Sequence, residues 1–303
     1  AIDSRLVNKD LFVFFLNSIL LFKSVIILDK ENKSLKCFPN TYNKIYADVK
    51  FDYIILNNCL QEIESEINEI KKMLTEKGHL ILIENNKMSL NDTFNIPKNI
   101  NNIKRRSKYT KDDIEKMFIN KFKFHYWYFP FINCEIANEF LTNSSINSFI
   151  PQDSYFPYLF DEVSLMDEKE AIFDLEKNEI FQYFVSSYIV DMCNVDDFYK
   201  FDYIRLHLDR KDCFKTITIV NKENGVVVKK PFSNESIHHV KKMALNDWDH
   251  SIFSSVKYTW NEDKKELTCD YVSKPCLREV LDSYIKDKEY GKFFNELRKL
   301  RDG

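Results

Sequence analysis

Four polar residues in the first third of the chain each follow a short apolar run. Asp29 follows VIIL, Asn57 and Asn58 follow YIIL, and Glu84 follows LILI. Such runs are typical of strands covered on both faces in a parallel sheet, and open sheets of this kind bind ligands at the carboxyl ends of their strands. There a carboxylate accepts hydrogen bonds from a ligand, an amide donates and accepts them, and Glu84 is the candidate general base.

Each of these residues also has a purely structural interpretation. Asp29 can cap a helix that follows it, and Asn57 or Asn58 can cap the next helix along the chain. Glu84 can simply end its strand in solvent. The pattern leaves the binding and the structural interpretations open for all four residues.

Three strands and one crossover must position these residues. We predict parallel strands at 25–29, 53–57 and 80–84. Between the last two, residues 60–74 place leucines and isoleucines at helical spacing, with acidic residues on the opposite face. Gly78 then stops this helix before the third strand. Strand, amphipathic helix and strand form a right-handed βαβ unit.

Further elements complete the first region. We expect a long loop over 84–108 that covers the carboxyl ends of the strands, and after it a helix that Thr110 caps. The aromatic segment Phe122–Phe131 predicts strand structure at the far edge of the sheet, because Pro130 cannot donate to a central ladder. A strand at Phe181–Val190 closes the region.

The pattern changes near residue 201. Short strands alternate with turns, of which Asn224-Gly225 is a strong hairpin signal; Ser233 begins a helix, and the chain is helical from Leu277 onward. The sequence therefore predicts an α/β Rossmann-like domain at 1–195. A small α+β domain with an antiparallel sheet follows at 196–303.

Charge and composition restrict the partners and the compartment. A formal net charge of −3 gives no reason to expect nucleic acid or an anionic membrane surface. The apolar stretch Leu11–Leu28 is interrupted by Lys23, which favours a buried helix and strand over a membrane span. Seven cysteines without any CxxC pair predict reduced thiols in a cytoplasmic protein.

The histidines do not predict a metal site. His79 precedes a strand and His125 lies among aromatic residues, and neither has a partner at ligand spacing. His238 and His239 are adjacent on a predicted helix and therefore point to different faces. We expect no metal.

Several segments of the first region carry a family resemblance. Residues 51–58 (FDYIILNN) and 77–84 (KGHLILIE) resemble the fourth and fifth strands of class I S-adenosylmethionine-dependent methyltransferases. Residues 84–86 (ENN), the helix start YTKDDIE at 109–115 and the aromatic strand at 124–130 look like the subgroup found with bacterial surface-polysaccharide genes. The resemblance covers roughly residues 10–190.

This resemblance implies that S-adenosylmethionine is bound at the strand ends. It assigns the cofactor to Asp29, Asn57 and Asn58, with Asp29 on the ribose hydroxyls. Glu84 would be the base for transfer to a sugar or another small acceptor. In such enzymes the first strand ends in a Gly-x-Gly turn, but this chain has four glycines and offers only Asn17-Ser18 there. Residues with a Cβ keep the backbone from approaching an adenosyl ligand closely.

The second region resembles the amino lobe of a protein-kinase-like fold. Residues 226–230 (VVVKK), a capped helix and residues 275–279 (PCLRE) carry this resemblance, which implies Lys229 or Lys230 as the phosphate-pairing lysine. No glycine-rich loop precedes the strand, and the helix offers lysines where a partner glutamate is needed. His-Arg-Asp and Asp-Phe-Gly are absent from the sequence. We therefore expect a docking domain rather than phosphoryl transfer.

Together these features favour a non-catalytic, methyltransferase-like pseudoenzyme. It would serve as a binding or scaffold module in cell-surface glycan assembly, with a protein partner. The alternative is an active S-adenosylmethionine-dependent methyltransferase that acts on a glycan, a nucleotide sugar or another small acceptor. The backbone at Asn17-Ser18 distinguishes the two, because only an open turn there admits the cofactor.

Overall fold

A computed structural model of the protein describes residues 25–29, 50–90, 95–97, 108–131, 137–147, 162–164, 168–198, 200–207, 210–245, 256–273 and 277–302. The chain divides into two compact units, the first spanning residues 1–203 and the second residues 204–303. The boundary expected from the sequence lies eight residues earlier, at 195/196. The described part of the chain is mixed α/β, and none of its helices is long and apolar enough to cross a membrane.

The first unit is built on a mixed sheet. The described strands of this unit are β1 (Val25–Asp29), β2 (Phe51–Asn57), β3 (Leu74–Asn85), β4 (Asn95–Pro97), β5 (Phe124–Phe131), β6 (Glu139–Thr142), β7 (Glu162–Ser164) and β8 (Ser187–Cys193). β1, β2 and β3 are parallel neighbours, as predicted. β8 lies antiparallel between β3 and β5, and β6 pairs antiparallel with β5. β4, which falls within the predicted loop over 84–108, forms a separate antiparallel pair with β7.

The predicted helix over 60–74 is interrupted. The structure has α1 (Leu60–Ile63) and α2 (Ile67–Lys72), with a 3₁₀ turn at Glu64–Glu66 between them. Glu62 and Glu66 lie four residues apart across this interruption, and like charges at that spacing destabilise a helix. Four of the five expected apolar positions are nevertheless buried on these helices, Leu60, Ile63, Ile67 and Ile70. The fifth, Leu74, is also buried, but as the first residue of β3.

Gly78 does not stop a helix, which corrects the sequence prediction. It lies inside β3, which begins at Leu74. The pairing with β2 shifts here, since Phe51 pairs with Leu74 and Tyr53 with His79. A Cβ built on Gly78 would lie 2.9 Å from the Leu74 Cβ, from the Phe51 carbonyl oxygen and from the Thr75 nitrogen. Close packing at this bulge therefore requires a residue without a side chain.

The aromatic strand is not at the edge of the sheet, contrary to the prediction from Pro130. β5 has neighbours on both sides, β8 and β6. Its pairing with β8 ends at Tyr128, whereas Pro130 pairs only with Phe140 of β6. The proline is tolerated because the strand has a single partner at that position.

The strand predicted at Phe181–Val190 begins later in the chain. A 3₁₀ turn occupies Phe181–Tyr183, and β8 runs from Ser187 to Cys193. The aromatic residues at 181–184 are also typical of a strand, because a buried 3₁₀ turn and a buried strand both need apolar side chains. Phe181 is buried in the core of the unit.

Two more helices belong to the first unit, α3 (Lys111–Phe118) and α4 (Glu168–Lys177). Thr110 caps α3 as predicted, since its hydroxyl oxygen accepts a hydrogen bond from the Asp113 N–H. The Asp113 carboxylate in turn accepts one from the Thr110 N–H, which completes a capping box. This reciprocal cap fixes the start of the helix immediately after Tyr109.

The second unit is an antiparallel sheet with helices. Its elements are β9 (Tyr203–Leu206), β10 (Thr216–Asn221), β11 (Val226–Pro231), α5 (Ile237–Met243), β12 (Thr259–Asn261), β13 (Glu266–Asp270), α6 (Leu277–Lys286) and α7 (Tyr290–Asp302). The first residue of β9, Tyr203, is the last residue of the first unit. β10 and β11 form the predicted hairpin, in which Gly225 has a φ of +63°. β13 pairs antiparallel with both β11 and β12. α5 packs on β11 and β13 and buries Val240.

Candidate functional site

The carboxyl ends of β1, β2 and β3, which carry the candidate residues, lie side by side, and we call this end of the sheet the sheet edge. Asp29 of β1 pairs in register with Asn57 of β2, and Asn57 pairs with Ile83 of β3, next to Glu84. Asn57 and Glu84 are 8% and 7% exposed. The structure therefore brings Asn57, Asn58 and Glu84 together, with the backbone of Asp29 beside them. The side chain of Asp29 and the segment Asn17-Ser18 lie outside the described residues.

Asn58 connects the ends of β2 and β3. Its backbone is left-handed, with a φ of +49°, and its N–H donates to the Ile83 carbonyl at 2.8 Å. Its side-chain oxygen accepts from the Asn85 N–H at 3.2 Å, and its amide nitrogen lies 3.4 Å from the Asn57 Oδ1. Asparagine tolerates a left-handed backbone better than most residues. The side chain of Asn58 is thus used within the fold.

The helix-capping interpretation of these asparagines is wrong. Cys59, and neither asparagine, is the N-cap residue of α1, and its side chain makes no capping hydrogen bond. Asn58 instead bonds across the ends of β2 and β3.

Glu84 does not end its strand in solvent. It pairs in register with Tyr188 of β8 and is nearly buried. It also lies near Tyr109, whose hydroxyl donates to Glu64 at 3.0 Å. Burial, the hydrogen bond to Glu64, and the negative charges of Glu64, Glu84 and Glu62 raise the pKa of Tyr109. The edge is therefore acidic and carries a neutral phenol beside Glu84.

Asn86 fixes the chain just beyond this edge. Its side chain is fully buried; the amide nitrogen donates to the carbonyls of Tyr183 and Val185 at 2.8 and 2.7 Å. Its side-chain oxygen accepts from the Met88 N–H at 2.9 Å. Sequence reasoning noted Asn86 only as part of a motif, because two of its three partners, Tyr183 and Val185, lie about a hundred residues away.

A second polar cluster lies near the middle of β3, at His79, where the regular pairing of this strand with β2 begins. His79 is 2% exposed and lies between two carboxylates, with Nδ1 2.8 Å from Asp191 Oδ1 and Nε2 2.9 Å from Asp197 Oδ1. Tyr53 stacks on its ring at 5.0 Å between centroids, and Phe198 meets it edge-on at 5.7 Å. Cys193 ends β8 beside this group, and its thiol donates to the Val195 carbonyl at 2.7 Å.

The electrostatics of this cluster are set by burial and by acidic residues. Burial alone lowers the pKa of His79, but the hydrogen bonds and charges of Asp191 and Asp197 outweigh it and raise that pKa above its usual value. Burial raises the pKa of Cys193 to about 11, and the neighbouring aspartates, Asp191, Asp197 and Asp196, add to the effect. In this arrangement the imidazole is held by two carboxylates, and the thiol is neutral at neutral pH.

Sequence reasoning missed this cluster. His79 has two carboxylate partners that spacing along the chain does not show, because Asp191 and Asp197 are 112 and 118 residues away. The only local signal is the segment CNVDD at 193–197, which follows the last strand of the first unit.

The other histidines behave differently. Nε2 of His125 is buried and has no hydrogen-bond partner in the described part of the chain, and burial lowers the pKa of His125. The pKa of His239 on α5 is lowered by burial and then by the positive charges of Arg210, Lys229 and Lys242. Of the described residues, only His79, Cys193 and Asp197 place three metal-ligating groups together.

The strand lysines of the second unit have local partners. Lys230 lies 3.3 Å from Glu266 of the neighbouring strand β13, and Lys229 lies over the ring of Tyr258 at 5.4 Å. On α5, Lys241 pairs with Glu262. The carboxylate partner of Lys230 thus comes from the sheet and not from the helix.

Comparisons of the chain with protein-family models, with curated proteins and with solved structures gave no match.

Proposed function

We propose that this protein is a methyltransferase-like binding module that does not itself transfer methyl groups. The observation that carries the proposal is the internal hydrogen bonding of the sheet edge. Asn58 joins the ends of β2 and β3 through its own amide, and Asn86 holds the segment after β3 with three hydrogen bonds. Polar groups that are hydrogen-bonded within the protein stabilise the sheet edge and do not bond a cofactor.

The glycine content supports the same proposal. A backbone that closely approaches an adenosyl group needs glycine between the first strand and the next helix. The four glycines are Gly78, Gly225, Gly291 and Gly303, and none stands near residues 17–30.

The second unit supports docking over phosphoryl transfer. Kinase chemistry requires a strand lysine paired with a glutamate from the following helix. Here the lysine–carboxylate pair, Lys230 with Glu266, links two strands of the sheet, and α5 carries His238, His239, Lys241 and Lys242. An antiparallel sheet with a covering helix can present a surface to a protein partner, and the resemblance of residues 84–130 suggests cell-surface glycan assembly as the setting.

Substitution of Asn58 tests whether the edge is structural. Asn58→Gly keeps the left-handed backbone accessible and removes the amide, so the free energy of unfolding should fall by about 0.5–1.5 kcal/mol, the usual worth of one hydrogen bond. Asn58→Ala should cost more, because alanine resists a φ of +49°.

Denaturant unfolding of both variants measures these differences. A side chain reserved for a ligand is commonly replaced without loss of stability or with a gain. Unchanged or increased stability in Asn58→Gly would therefore contradict the proposal.

A second candidate function is methyl transfer with Glu84 as base. One observation favours it: Glu84 is 7% exposed at the strand end, beside Tyr109, and a carboxylate in that position is suited to accept a proton from a sugar hydroxyl or amine. Transfer of labelled methyl to surface sugars, lost in Glu84→Gln and retained in Glu176→Gln, would establish it. Glu176 is the matched control because it is 8% exposed and lies on α4.

A further inference from the structure

We propose that His79, Cys193 and Asp197 bind a divalent transition-metal ion of the zinc type. The three side chains come from β3, from the end of β8 and from the segment that follows β8. Their ligand atoms, one each from imidazole, thiol and carboxylate, all lie within 4.8 Å of one another. Zinc binds such atoms at about 2.0–2.3 Å, so movements of about 1 Å bring all three to a common ion.

The orientation of His79 favours coordination through Nε2. Nδ1 is held by Asp191 at 2.8 Å, which leaves Nε2 on the side of Asp197, 2.9 Å from its Oδ1. A carboxylate on the far nitrogen of a ligating histidine is the usual outer partner in zinc sites, where it fixes the ring and increases its basicity. Tyr53 and Phe198 restrict the ring further by stacking and edge contact.

The donor set and its access also fit such an ion. Imidazole nitrogen, thiolate sulfur and carboxylate oxygen together suit zinc, cobalt and nickel better than calcium or magnesium, which prefer oxygen ligands. His79 is buried, but the Asp197 side chain is 42% exposed, so an ion can enter from that side and keep a water as its fourth ligand.

Charge provides a reason for a cation at this place. Asp191 and Asp197 flank a single imidazole, and the negative charges of Asp191, Asp197 and Asp196 act on the Cys193 thiol. A bound M²⁺ would displace the thiol proton, which Cys193 now donates to the Val195 carbonyl, and would occupy the lone pair of Nε2. The ion would then connect the segment after β8 to His79 in the interior of β3.

This site is separate from the sheet edge at Glu84. His79 and Glu84 are five residues apart on one strand, which corresponds to roughly 17 Å. The metal proposal therefore stands or fails independently of the proposed function.

Titration of the full chain with Co²⁺ under reducing conditions tests the site. We expect one equivalent to produce visible ligand-field bands of a tetrahedral ion and a near-ultraviolet thiolate-to-cobalt charge-transfer band. Zn²⁺ should displace the cobalt and raise the melting temperature by mass action.

Four variants assign the ligands. Cys193→Ser keeps a donor for the Val195 carbonyl and should lose the charge-transfer band. Asp197→Asn, at an exposed side chain that leaves the core intact, should weaken binding at least tenfold, and Asp191→Asn by about 10–100-fold. Cys59→Ser, at a buried cysteine elsewhere in the first unit, should bind as the wild type does.

Two results would overturn the proposal. One is the absence of a charge-transfer band in the wild-type protein at stoichiometric cobalt, which would leave His79 as a histidine paired only with two aspartates. The other is a band that survives in Cys193→Ser, which would place the bound thiolate elsewhere in the chain.

Discussion

Asn86 uses the hydrogen-bonding groups of its side chain within the protein. It is fully buried, and its amide serves three backbone groups, the carbonyls of Tyr183 and Val185 and the N–H of Met88. Its own N–H donates to the Ser186 carbonyl at 2.9 Å. One side chain therefore joins the segment after β3 to the segment before β8.

Replacement of Asn86 should be costly. Asn86→Ala leaves two carbonyls and one N–H without their partner, and we expect the free energy of unfolding to fall by about 2–4 kcal/mol. Asn178→Ala is the matched control: Asn178 also donates to a backbone carbonyl, that of Asp174, but it is exposed, so its loss should stay within about 0.5 kcal/mol. Equal effects of the two substitutions in chemical denaturation would contradict this account of Asn86.

β3 illustrates how a local irregularity positions both polar clusters. Its first residues bulge away from β2, and regular pairing resumes at His79 and continues to Ile83. His79 thus begins the regular part of the strand and Glu84 follows its end. The bulge depends on close backbone packing around Gly78.

Two glycine substitutions should change the stability of the protein in opposite directions. Gly78→Ala introduces contacts of 2.9 Å with two backbone atoms and one side chain, and should destabilise the protein by about 1–3 kcal/mol. Gly291→Ala lies on α7 in open space and should stabilise it by about 0.5–1 kcal/mol. Thermal and denaturant unfolding measure both changes, and a neutral Gly78→Ala would show that the bulge relaxes without cost.

The cap of α3 should make a pH-dependent contribution. Hydrogen bonds from the Thr110 backbone and side chain hold the pKa of Asp113 below its usual value. A carboxyl with a lowered folded-state pKa stabilises the protein above its unfolded-state pKa, and this contribution disappears as the pH falls through the folded value.

Thr110→Ala should therefore cost about 1 kcal/mol at pH 7, where the box is intact. The stability difference between wild type and Asp113→Ala should be full at pH 7 and vanish as the pH falls below about 3.9. Unfolding curves recorded across this range check both statements, and a difference that does not change with pH would contradict the capping box.

Much of the fold of the whole molecule could be predicted from local patterns. The apolar runs 25–29, 53–57 and 80–84 gave parallel strands, and Asn224-Gly225 gave a hairpin, because each signal is contained in a few residues. The interior place of β5 and the bulge at Gly78 could not be predicted. Both depend on which distant strand lies alongside, and a single sequence does not record that.

The candidate sites divide in the same way. Asn57, Asn58 and Glu84 were found because parallel strands bring their carboxyl ends to one edge. The hydrogen bonds by which Asn58 joins β2 to β3 depend on Asn85 and Ile83, and the cluster at His79 depends on residues more than a hundred positions away. Spacing along the chain contains no information about such contacts.

Calorimetric titration of S-adenosylmethionine and S-adenosylhomocysteine into the full chain tests the central claim most directly. Asp29→Ala and Asp52→Ala serve as matched variants, since these aspartates lie at the end of β1 and near the start of β2. We predict no binding heat for either ligand with any of the three proteins. Binding to the wild type and to Asp52→Ala that is lost in Asp29→Ala would contradict the binding-module account and establish a cofactor site at the sheet edge.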